Sequence, residues 1–349
     1  MEHRIVAGLL SVVVLWAAAG CRMVDGTWIS DIKNTFHAGY GAIRCKFSIC
    51  CDDWGIIKNF TGLEHDLASK LHGQHLVQKT VLRHLRSHLQ SDSPQKALVL
   101  SFHGPTGVGK NFVSRIIADN IYKDGVKSPF VHMLSATREF PHEAMVPFYK
   151  DQLKAWIEGN MTRCGQSMFI FDEVDKLPAK LLDVIKPYLD YYTHLGGIDY
   201  RRAIFLFLSN TGGTDISKML LERWKAGLSR EDLQLSEVEG SMMASAINAE
   251  NKQGLWHSQL ISSHLITAYI PFLPLEKQHV RKCVADYFLL KNYPVLPIHG
   301  QLVDEVLKEL TFFPPTEQVF SSTGCKRVAE KVDYVMADSD HMKNRHSDL

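Results

Sequence analysis

Short, continuous apolar runs recur along the middle of the chain, and segments with helical spacing follow them. The runs occupy residues 97–103, 130–134, 168–171 and 203–208. Because they show no polar residue at every second position, they predict strands that are buried on both faces. Strands that alternate with helices predict an α/β fold, with a parallel sheet covered by helices.

Helical spacing is clearest before the first of these runs. Leucines recur at mostly helical intervals between Leu63 and Leu89, and the pattern breaks near Gly73, which predicts two helices. Further helices are predicted at about 147–159 and at 179–192, the second with a kink at Pro187.

The pattern changes near residue 271, where the β-type runs stop. Helices are predicted at 275–291, 301–310 and 323–336. We therefore divide the chain into a large α/β domain, residues 61–270, and a small helical domain, residues 271–349. A length of 349 residues suits two domains.

The first sixty residues form two further segments. Residues 1–20 carry an early positive charge, a long apolar stretch and small residues at the end, which predicts a secretory signal. A retained signal-anchor, which would hold the chain at the membrane, is the alternative. Residues 21–60 form a cysteine-bearing segment with Cys45, Cys50 and Cys51, for which disulfides are favoured over buried thiols, although the pairing cannot be deduced.

Two N-x-[ST] sequons, at Asn59 and Asn160, add candidate glycosylation sites.

The charge balance excludes one class of partner. Lys and Arg total 39 and Asp and Glu total 38, so the net charge is +1. A chain with this balance has no basic footprint for nucleic acid.

A glycine-rich segment follows the first predicted strand and precedes a helical segment. G-x-x-x-x-G-K in this context predicts a phosphate-binding loop, whose backbone N–H groups surround phosphate oxygens at a helix N-terminus. The loop residues are Gly104, Pro105, Thr106, Gly107, Val108, Gly109, Lys110 and Asn111. Lys110 is expected to reach the β- and γ-phosphates, and Asn111 stands where Ser or Thr normally ligates Mg²⁺.

Polar residues also follow the other two long strands. Asp172 and Glu173 follow residues 168–171, and Asn210 follows residues 203–208. Ligands bind at the carboxyl ends of parallel strands, so these side chains are expected beside the phosphate loop. Asp172, with Asn111, is predicted to hold Mg²⁺, Glu173 to act as general base and Asn210 to orient the attacking water.

These motifs together resemble the torsin family, AAA+ ATPases of the lumen of the endoplasmic reticulum and nuclear envelope. The resemblance rests on Gly104–Asn111, on the acidic box 171–176, on 208–210 and on the Gly-Cys-Lys triplet 324–326, and it extends over nearly the whole chain. The chain departs from the usual family loop at Pro105 and Val108, where Trp and Thr are common.

The resemblance assigns roles to further residues. It makes 104–111 a Walker A loop, Asp172 and Glu173 the Walker B acids, and Asn210 sensor 1. Lys326 resembles sensor 2, a cation that reaches the γ-phosphate of ATP from a helical lid. Cys283 and Cys325 resemble a redox-active pair near the nucleotide, with two buried thiols as the alternative.

The resemblance also implies partners. No arginine finger can be assigned, and Arg223 and Arg230 are only the nearest arginines after Asn210. A finger contributes roughly 10³–10⁵ in rate to related phosphoryl transfers, so slow hydrolysis is expected from the chain alone. The family receives its arginine from the lumenal domains of lamina-associated and lumenal ER membrane proteins, in a ring or partial ring.

Two functions are consistent with these residues. The first is an activator-dependent ATPase, using ATP and Mg²⁺, that remodels protein assemblies at the endoplasmic reticulum and nuclear envelope. The second is a nucleotide-gated binding module with little turnover, suggested by Asn111 as a weaker Mg²⁺ ligand. A metal site on His72 and His75 is a remote third reading, since 17 histidines are scattered along the chain.

Overall fold

A computed structural model of the protein describes residues 51–52, 55–247, 253–255, 258–293 and 299–347. The predicted signal segment 1–20, most of segment 21–60, and Cys45 and Cys50 lie outside these residues. Among the described residues, no helix is long and apolar enough to cross a bilayer.

The large domain is built around a five-stranded sheet in the order β2-β3-β4-β1-β5, with every neighbouring pair parallel. This confirms the predicted α/β architecture. The strands are β1 Leu98–His103, β2 Val131–Ser135, β3 Met168–Asp172, β4 Ile204–Ser209 and β5 Ala268–Pro271. Because β5 pairs with β1, the sheet reaches one residue past the domain boundary predicted at 270/271.

Helices cover both faces of the sheet and form the C-terminal region. Those of the large domain are α1 Phe60–Lys70, α2 His75–Gln90, α3 Lys110–Ile121, α4 Ala136–Glu139, α5 Val146–Arg163, α6 Lys186–Leu189, α7 Gly213–Lys225, α8 Leu235–Ile247 and α9 Gln259–Ser262. The lid comprises α10 Lys277–Leu290, α11 His299–Lys308 and α12 Val328–Ser347, with a small antiparallel pair, β6 Phe312–Phe313 and β7 Phe320–Ser321.

The apolar residues of each strand divide between two buried clusters. In β4, Leu206 and Leu208 join the cluster under α1, α2 and α3, whereas Phe205 and Phe207 join the cluster under α5 and α7. Successive side chains of a strand point to opposite faces, so a continuous apolar run fills both layers. On the second face, Phe169 of β3 stacks on Phe205 with ring centroids 5.0 Å apart.

One predicted helix is wrong. Residues 179–192 form a 3₁₀ turn, Leu182–Ile185, followed by the single turn of α6. Pro187 lies in the first turn of α6, where its missing N–H costs nothing, but the ring prevents one helix from running through the segment. The predicted start of the last helix at 323 is also wrong, because Thr323–Arg327 forms a turn and α12 begins at Val328.

Two disulfides are present among the described residues. Cys51 pairs with Cys164 at the end of α5, across 113 residues of sequence, which gives one member of the early cysteine cluster its partner. Cys283 of α10 pairs with Cys325, directly before Lys326. The second disulfide joins two parts of the lid.

Candidate nucleotide site

The phosphate loop leaves β1 at Gly104 and enters α3 at Lys110, the strand–loop–helix order that a phosphate site requires. Gly104 has φ 150°, Gly107 78° and Gly109 109°, which are values that other residues rarely adopt. A Cβ atom on Gly104 would lie 2.2 Å from the carbonyl oxygen of Phe272. Close approach of the loop to the segment after β5 therefore needs glycine there.

Lys110 connects the loop to the end of β4. Its Nζ donates to the carbonyl oxygens of Gly104 at 2.7 Å and Pro105 at 2.8 Å, and to Oδ1 of Asn210 at 3.0 Å. Burial lowers the pKa of Lys110 to about 8, although Asp175 and Asp172 act in the opposite direction. The predicted phosphate-binding lysine and the predicted water-orienting amide are thus in direct contact.

Asn111 contacts the first Walker B acid. Its Nδ2 donates to Oδ2 of Asp172 at 2.7 Å, and the other carboxylate oxygen of Asp172 accepts from the N–H of Glu173 at 2.9 Å. The two residues predicted for Mg²⁺ are therefore neighbours, although they lie 61 positions apart in the sequence. An amide oxygen and a carboxylate are hard oxygen ligands, so this pair fits Mg²⁺.

Glu173 lies just beyond β3 with φ 56°, in a backbone conformation that is uncommon for a side-chain-bearing residue. Its carboxylate accepts from the hydroxyl of Thr137 at 2.6 Å and from that of Ser135 at 3.4 Å. Sequence reasoning missed both hydroxyls. The signal in the sequence is only that Ser135 directly follows the predicted strand 130–134, whereas its register with Asp172 of β3 is seen in the structure alone.

Asn210 begins the turn after β4. Its backbone N–H donates to Oδ1 of Asp175 at 3.0 Å. Asp175, which the sequence analysis did not single out as a site residue, therefore supports the position of Asn210.

The lid meets the phosphate loop through backbone atoms. The N–H of Cys325 donates to the carbonyl oxygen of Gly107 at 3.0 Å. A Cβ on Gly107 would lie 1.8 Å from the carbonyl oxygen of Thr323, and a Cβ on Gly324 would lie 2.2 Å from the carbonyl oxygen of Gly107. This contact places Lys326 beside the loop, with its Cβ atom 3.2 Å from the point where a Cβ of Gly107 would be.

A buried polar side chain connects the same loop to residues 272–276, the segment between β5 and α10 that we call the hinge. Gln74 donates to the carbonyl oxygens of Val108 at 3.1 Å and Leu273 at 2.8 Å, and accepts from the N–H of Leu273 at 2.9 Å. The sequence analysis missed Gln74, because nothing in its local pattern indicates contacts up to 199 positions away.

The first two arginines after Asn210 in the sequence bind groups of their own chain. Arg230 is buried and donates to the carbonyl oxygens of Gly73 at 2.6 Å and Pro274 at 2.9 Å, and to Glu276 at 3.0 Å. Arg223 pairs with Glu237 at 3.3 Å. Both guanidinium groups therefore have partners within the chain.

The remaining candidates have separate surroundings. His72 contacts Asp286 of α10 at 2.6 Å, whereas His75 contacts the carbonyl oxygen of Leu233 at 3.2 Å. Asn59 is exposed and its side chain caps α1 by accepting from Gly62, while Asn160 lies inside α5 and donates to the carbonyl oxygen of Trp156.

Solved structures identify the fold. A complex of Saccharomyces cerevisiae Hsp104 with ADP matches 84% of this chain and 49% of that chain, with a TM-score of 0.58 at 15% identity. Hsp104 with casein in an extended conformation matches with a TM-score of 0.56, also at 15% identity. The chain spans about half the length of these Hsp104 chains, and at this identity the likeness concerns the fold alone. Fold and phosphate loop together define the AAA+ class of P-loop folds.

Sequence relatives narrow that class to one family. A family model described as Torsin matches residues 45–171, and one described as the C-terminal domain of Torsin-1A matches residues 275–335. The chain is 42% identical to a torsin-like protein of Caenorhabditis elegans over 90% of this chain and 87% of the relative. It is 44% identical to Torsin-3A of Rattus norvegicus over 84% of this chain and 74% of that relative. The chain belongs to the torsin family of chaperone-like AAA+ ATPases.

Replacement of Gly324 by Ala tests the contact between the lid and the phosphate loop. The added Cβ would meet the carbonyl oxygen of Gly107 at 2.2 Å, and φ 55° disfavours alanine, so we expect the lid turn to move. Affinity for a non-hydrolysable ATP analogue should fall by roughly tenfold, about the effect of 1.4 kcal/mol. Calorimetric titration measures it. Gly300→Ala, in α11 with open space around the new Cβ, is the matched control, and equal affinities in both variants would contradict this role.

The lowered pKa of Lys110 predicts a pH dependence. Below pH 8 the ammonium group predominates and pairs with phosphate, whereas above pH 8 the free protein must take up a proton to make the same contact. Affinity for the analogue should therefore fall by roughly tenfold or more between pH 7 and pH 9.5. Titrations at several pH values measure the slope. Lys110→Ala should bind weakly with a flatter profile, and parallel profiles would assign the dependence to another group.

Proposed function

We propose that the protein is an ATP-hydrolysing torsin of the lumen of the endoplasmic reticulum and nuclear envelope, which remodels protein assemblies and needs a partner for rapid turnover. The observation that carries the proposal is the grouping of Lys110, Asn111, Asp172, Glu173 and Asn210 at one edge of the sheet. A nucleotide-binding module needs only Lys110, Asn111 and Asp172. Glu173 as a general base is useful only where ATP is hydrolysed.

Each side chain has a task in hydrolysis. Lys110 would exchange its carbonyl contacts for the β- and γ-phosphates, and Asn111 and Asp172 would hold Mg²⁺. When bound, the cation neutralises charge on those phosphates. Glu173 would exchange the hydroxyl of Thr137 for the attacking water and accept its proton, while Asn210 orients that water.

The lid supplies the remaining charge. Lys326 follows Cys325, whose N–H is bonded to Gly107 of the loop, and this position beside the loop supports a role for the lysine in binding the γ-phosphate. We infer that closure of the lid over ATP brings Lys326 into the site.

The arginine finger is assigned to another chain. Arg230 is buried at the hinge and Arg223 is paired with Glu237, so neither is available to a neighbouring site without breaking contacts in its own chain. A partner's lumenal domain, such as those of lamina-associated and lumenal ER membrane proteins, would supply the missing cation in a ring or partial ring. Self-association of this chain is the other arrangement that such a site allows.

The lumenal location draws on several observations. The N-terminal apolar stretch suits a secretory signal, and two sequons suit lumenal entry. The Cys51–Cys164 and Cys283–Cys325 disulfides suit an oxidising compartment. Glycosylation at Asn59 and Asn160 stays a prediction.

The second candidate function is a nucleotide-gated binding module. It draws on Asn111, whose amide oxygen is a neutral ligand and whose amide nitrogen is bonded to Asp172. In this reading nucleotide binding alone would change the lid and the choice of partner.

Steady-state ATP hydrolysis with and without a partner's lumenal domain separates the two candidates. We expect slow hydrolysis by the chain alone and a steep rise with the partner, because a finger contributes roughly 10³–10⁵ in related enzymes. Glu173→Gln should abolish turnover, retain ATP and stabilise the complex. Glu64→Gln, at an exposed position in α1, is the matched control. Unchanged turnover in Glu173→Gln would contradict the role of Glu173 as general base, whereas no turnover with the partner would favour the binding module.

We further propose that the Cys283–Cys325 disulfide couples redox state to nucleotide binding. Reduction by a dithiol would convert the disulfide into two thiols and the dithiol into its disulfide. Because Cys325 is bonded to Gly107 through its backbone, this would release a constraint on the turn that carries Lys326. Reduction should change analogue affinity severalfold in the wild type and leave a Cys283→Ala/Cys325→Ala variant unaffected. A Cys51→Ala/Cys164→Ala variant should respond as the wild type does. A response that follows the Cys51–Cys164 bond instead would overturn the coupling.

A further inference from the structure

Strand β1 carries two polar side chains in the interior of the sheet. Ser101 and His103 are both 0% exposed, and they lie two residues apart on the same face of a central strand. Burying polar groups costs free energy unless they are hydrogen-bonded, so their contacts need an explanation. His103 is also the residue directly before the phosphate loop.

The contacts of His103 determine its tautomer. Nδ1 faces the carbonyl oxygen of Thr211 at 3.3 Å, and Nε2 faces the hydroxyl of Ser101 at 2.7 Å. Burial lowers the pKa of His103 to about 4, although the hydrogen bond to Thr211 opposes this shift, so the ring is neutral at physiological pH. Lys110 also lowers the pKa, and Asp175 raises it. A carbonyl oxygen only accepts, and therefore Nδ1 carries the proton and Ser101 donates to Nε2.

Thr211 follows Asn210 in the turn that leaves β4. The strand itself ends at Ser209, which is in register with His103, so the turn has no further sheet pairing to hold it. The N–H of Asn210 is bonded to Asp175, and the carbonyl of Thr211 accepts from His103. Within the turn, the N–H of Thr211 donates to Oγ of Ser209 at 3.1 Å and the N–H of Gly213 donates to the carbonyl oxygen of Asn210 at 3.1 Å. Asp175 and His103 thus join a locally closed turn to neighbouring parts of the fold.

The side chain of Asn210 depends on that backbone. Its Oδ1 accepts from Nζ of Lys110 at 3.0 Å. If the turn moved away from β1, this contact and the orientation of the amide would change together. His103 is the side chain that joins the turn to β1.

We propose that His103 is a positioning residue of the ATPase site. Its neutral imidazole, oriented by Ser101, holds the Asn210–Thr211 turn and so directs the amide of Asn210 toward Lys110 and the attacking water. This inference rests on the proposed ATPase function. The role belongs to the ring N–H as a donor and not only to the volume of the ring.

Two substitutions separate the donor from the volume. His103→Phe keeps a ring of similar size and removes both polar contacts, whereas His103→Asn is smaller and keeps an N–H near the place of Nδ1. Ser101→Ala removes only the orienting hydroxyl. Thermal unfolding of each variant reports whether the fold is retained.

Single-turnover hydrolysis of ATP by excess protein is the first measurement. We expect the rate at saturating protein to fall roughly tenfold in His103→Phe and to recover substantially in His103→Asn. Ser101→Ala should give a rate between these two. The protein concentration that gives half the maximal rate should change little. In an Asn210→Ala background, His103→Phe should have little further effect, because the two residues act together. The proposal would be overturned if the effects of His103→Phe and Asn210→Ala on the rate were additive, or if His103→Phe and His103→Asn lost the same rate.

Amide hydrogen exchange is the second measurement, and it needs no turnover. The amides of residues 210–213 should exchange roughly fivefold to tenfold faster in His103→Phe, corresponding to one lost hydrogen bond, and near the wild-type rate in His103→Asn. Unchanged exchange in a folded His103→Phe variant would refute the role. If the wild type does not hydrolyse ATP but the variants show the expected exchange rates, the ATPase function would be contradicted. The support of the turn by His103 would still stand.

Discussion

A strand that is covered on both faces cannot carry charge along its length, and this constraint determines the arrangement of the site. In β1, β3 and β4 nearly every interior side chain is apolar, because an unpaired charge there would be far too costly. Charged and amide groups therefore occur only where the strands end. Since the strands are parallel, those ends share one edge, and the phosphate loop, Asp172 and Asn210 meet there without any local sequence relationship.

The lid is attached to this edge by backbone as much as by side chains. Gly107 and Gly324 approach so closely that neither has room for a Cβ atom, and the N–H of Cys325 bonds to the loop. Gln74 and Arg230 add buried hydrogen bonds at the hinge. On the proposed function, a movement of the loop on nucleotide binding would act on the lid through these contacts.

The parts that the sequence predicts well are those with strong local signals. Four apolar runs predicted four strands. The glycine loop and the acids that follow strand 168–171 predicted a site at the carboxyl edge of the sheet. The strand Ala268–Pro271 was missed because four residues are too short for a distinctive pattern. The hydroxyl of Thr137 and the carboxylate of Asp175 were missed because their contacts depend on strand order, which no local pattern reveals. The prediction of a helix at 179–192 was wrong because the apolar spacing is helical but Pro187 prevents a continuous helix.

Asn111 illustrates how structure changes the meaning of one letter. A hydroxyl at this place would donate to the Walker B acid and ligate a cation with the same oxygen. A primary amide divides these tasks, since Nδ2 donates to Asp172 while Oδ1 keeps its lone pairs. The amide therefore makes the contact with Asp172 and still offers an oxygen that could bind a cation. Together with Glu173 directly after Asp172, this favours an ATPase with a complete set of Mg²⁺ ligands. The slow turnover proposed for the chain alone would then come from a missing arginine finger, since Arg230 is bonded to Gly73, Pro274 and Glu276.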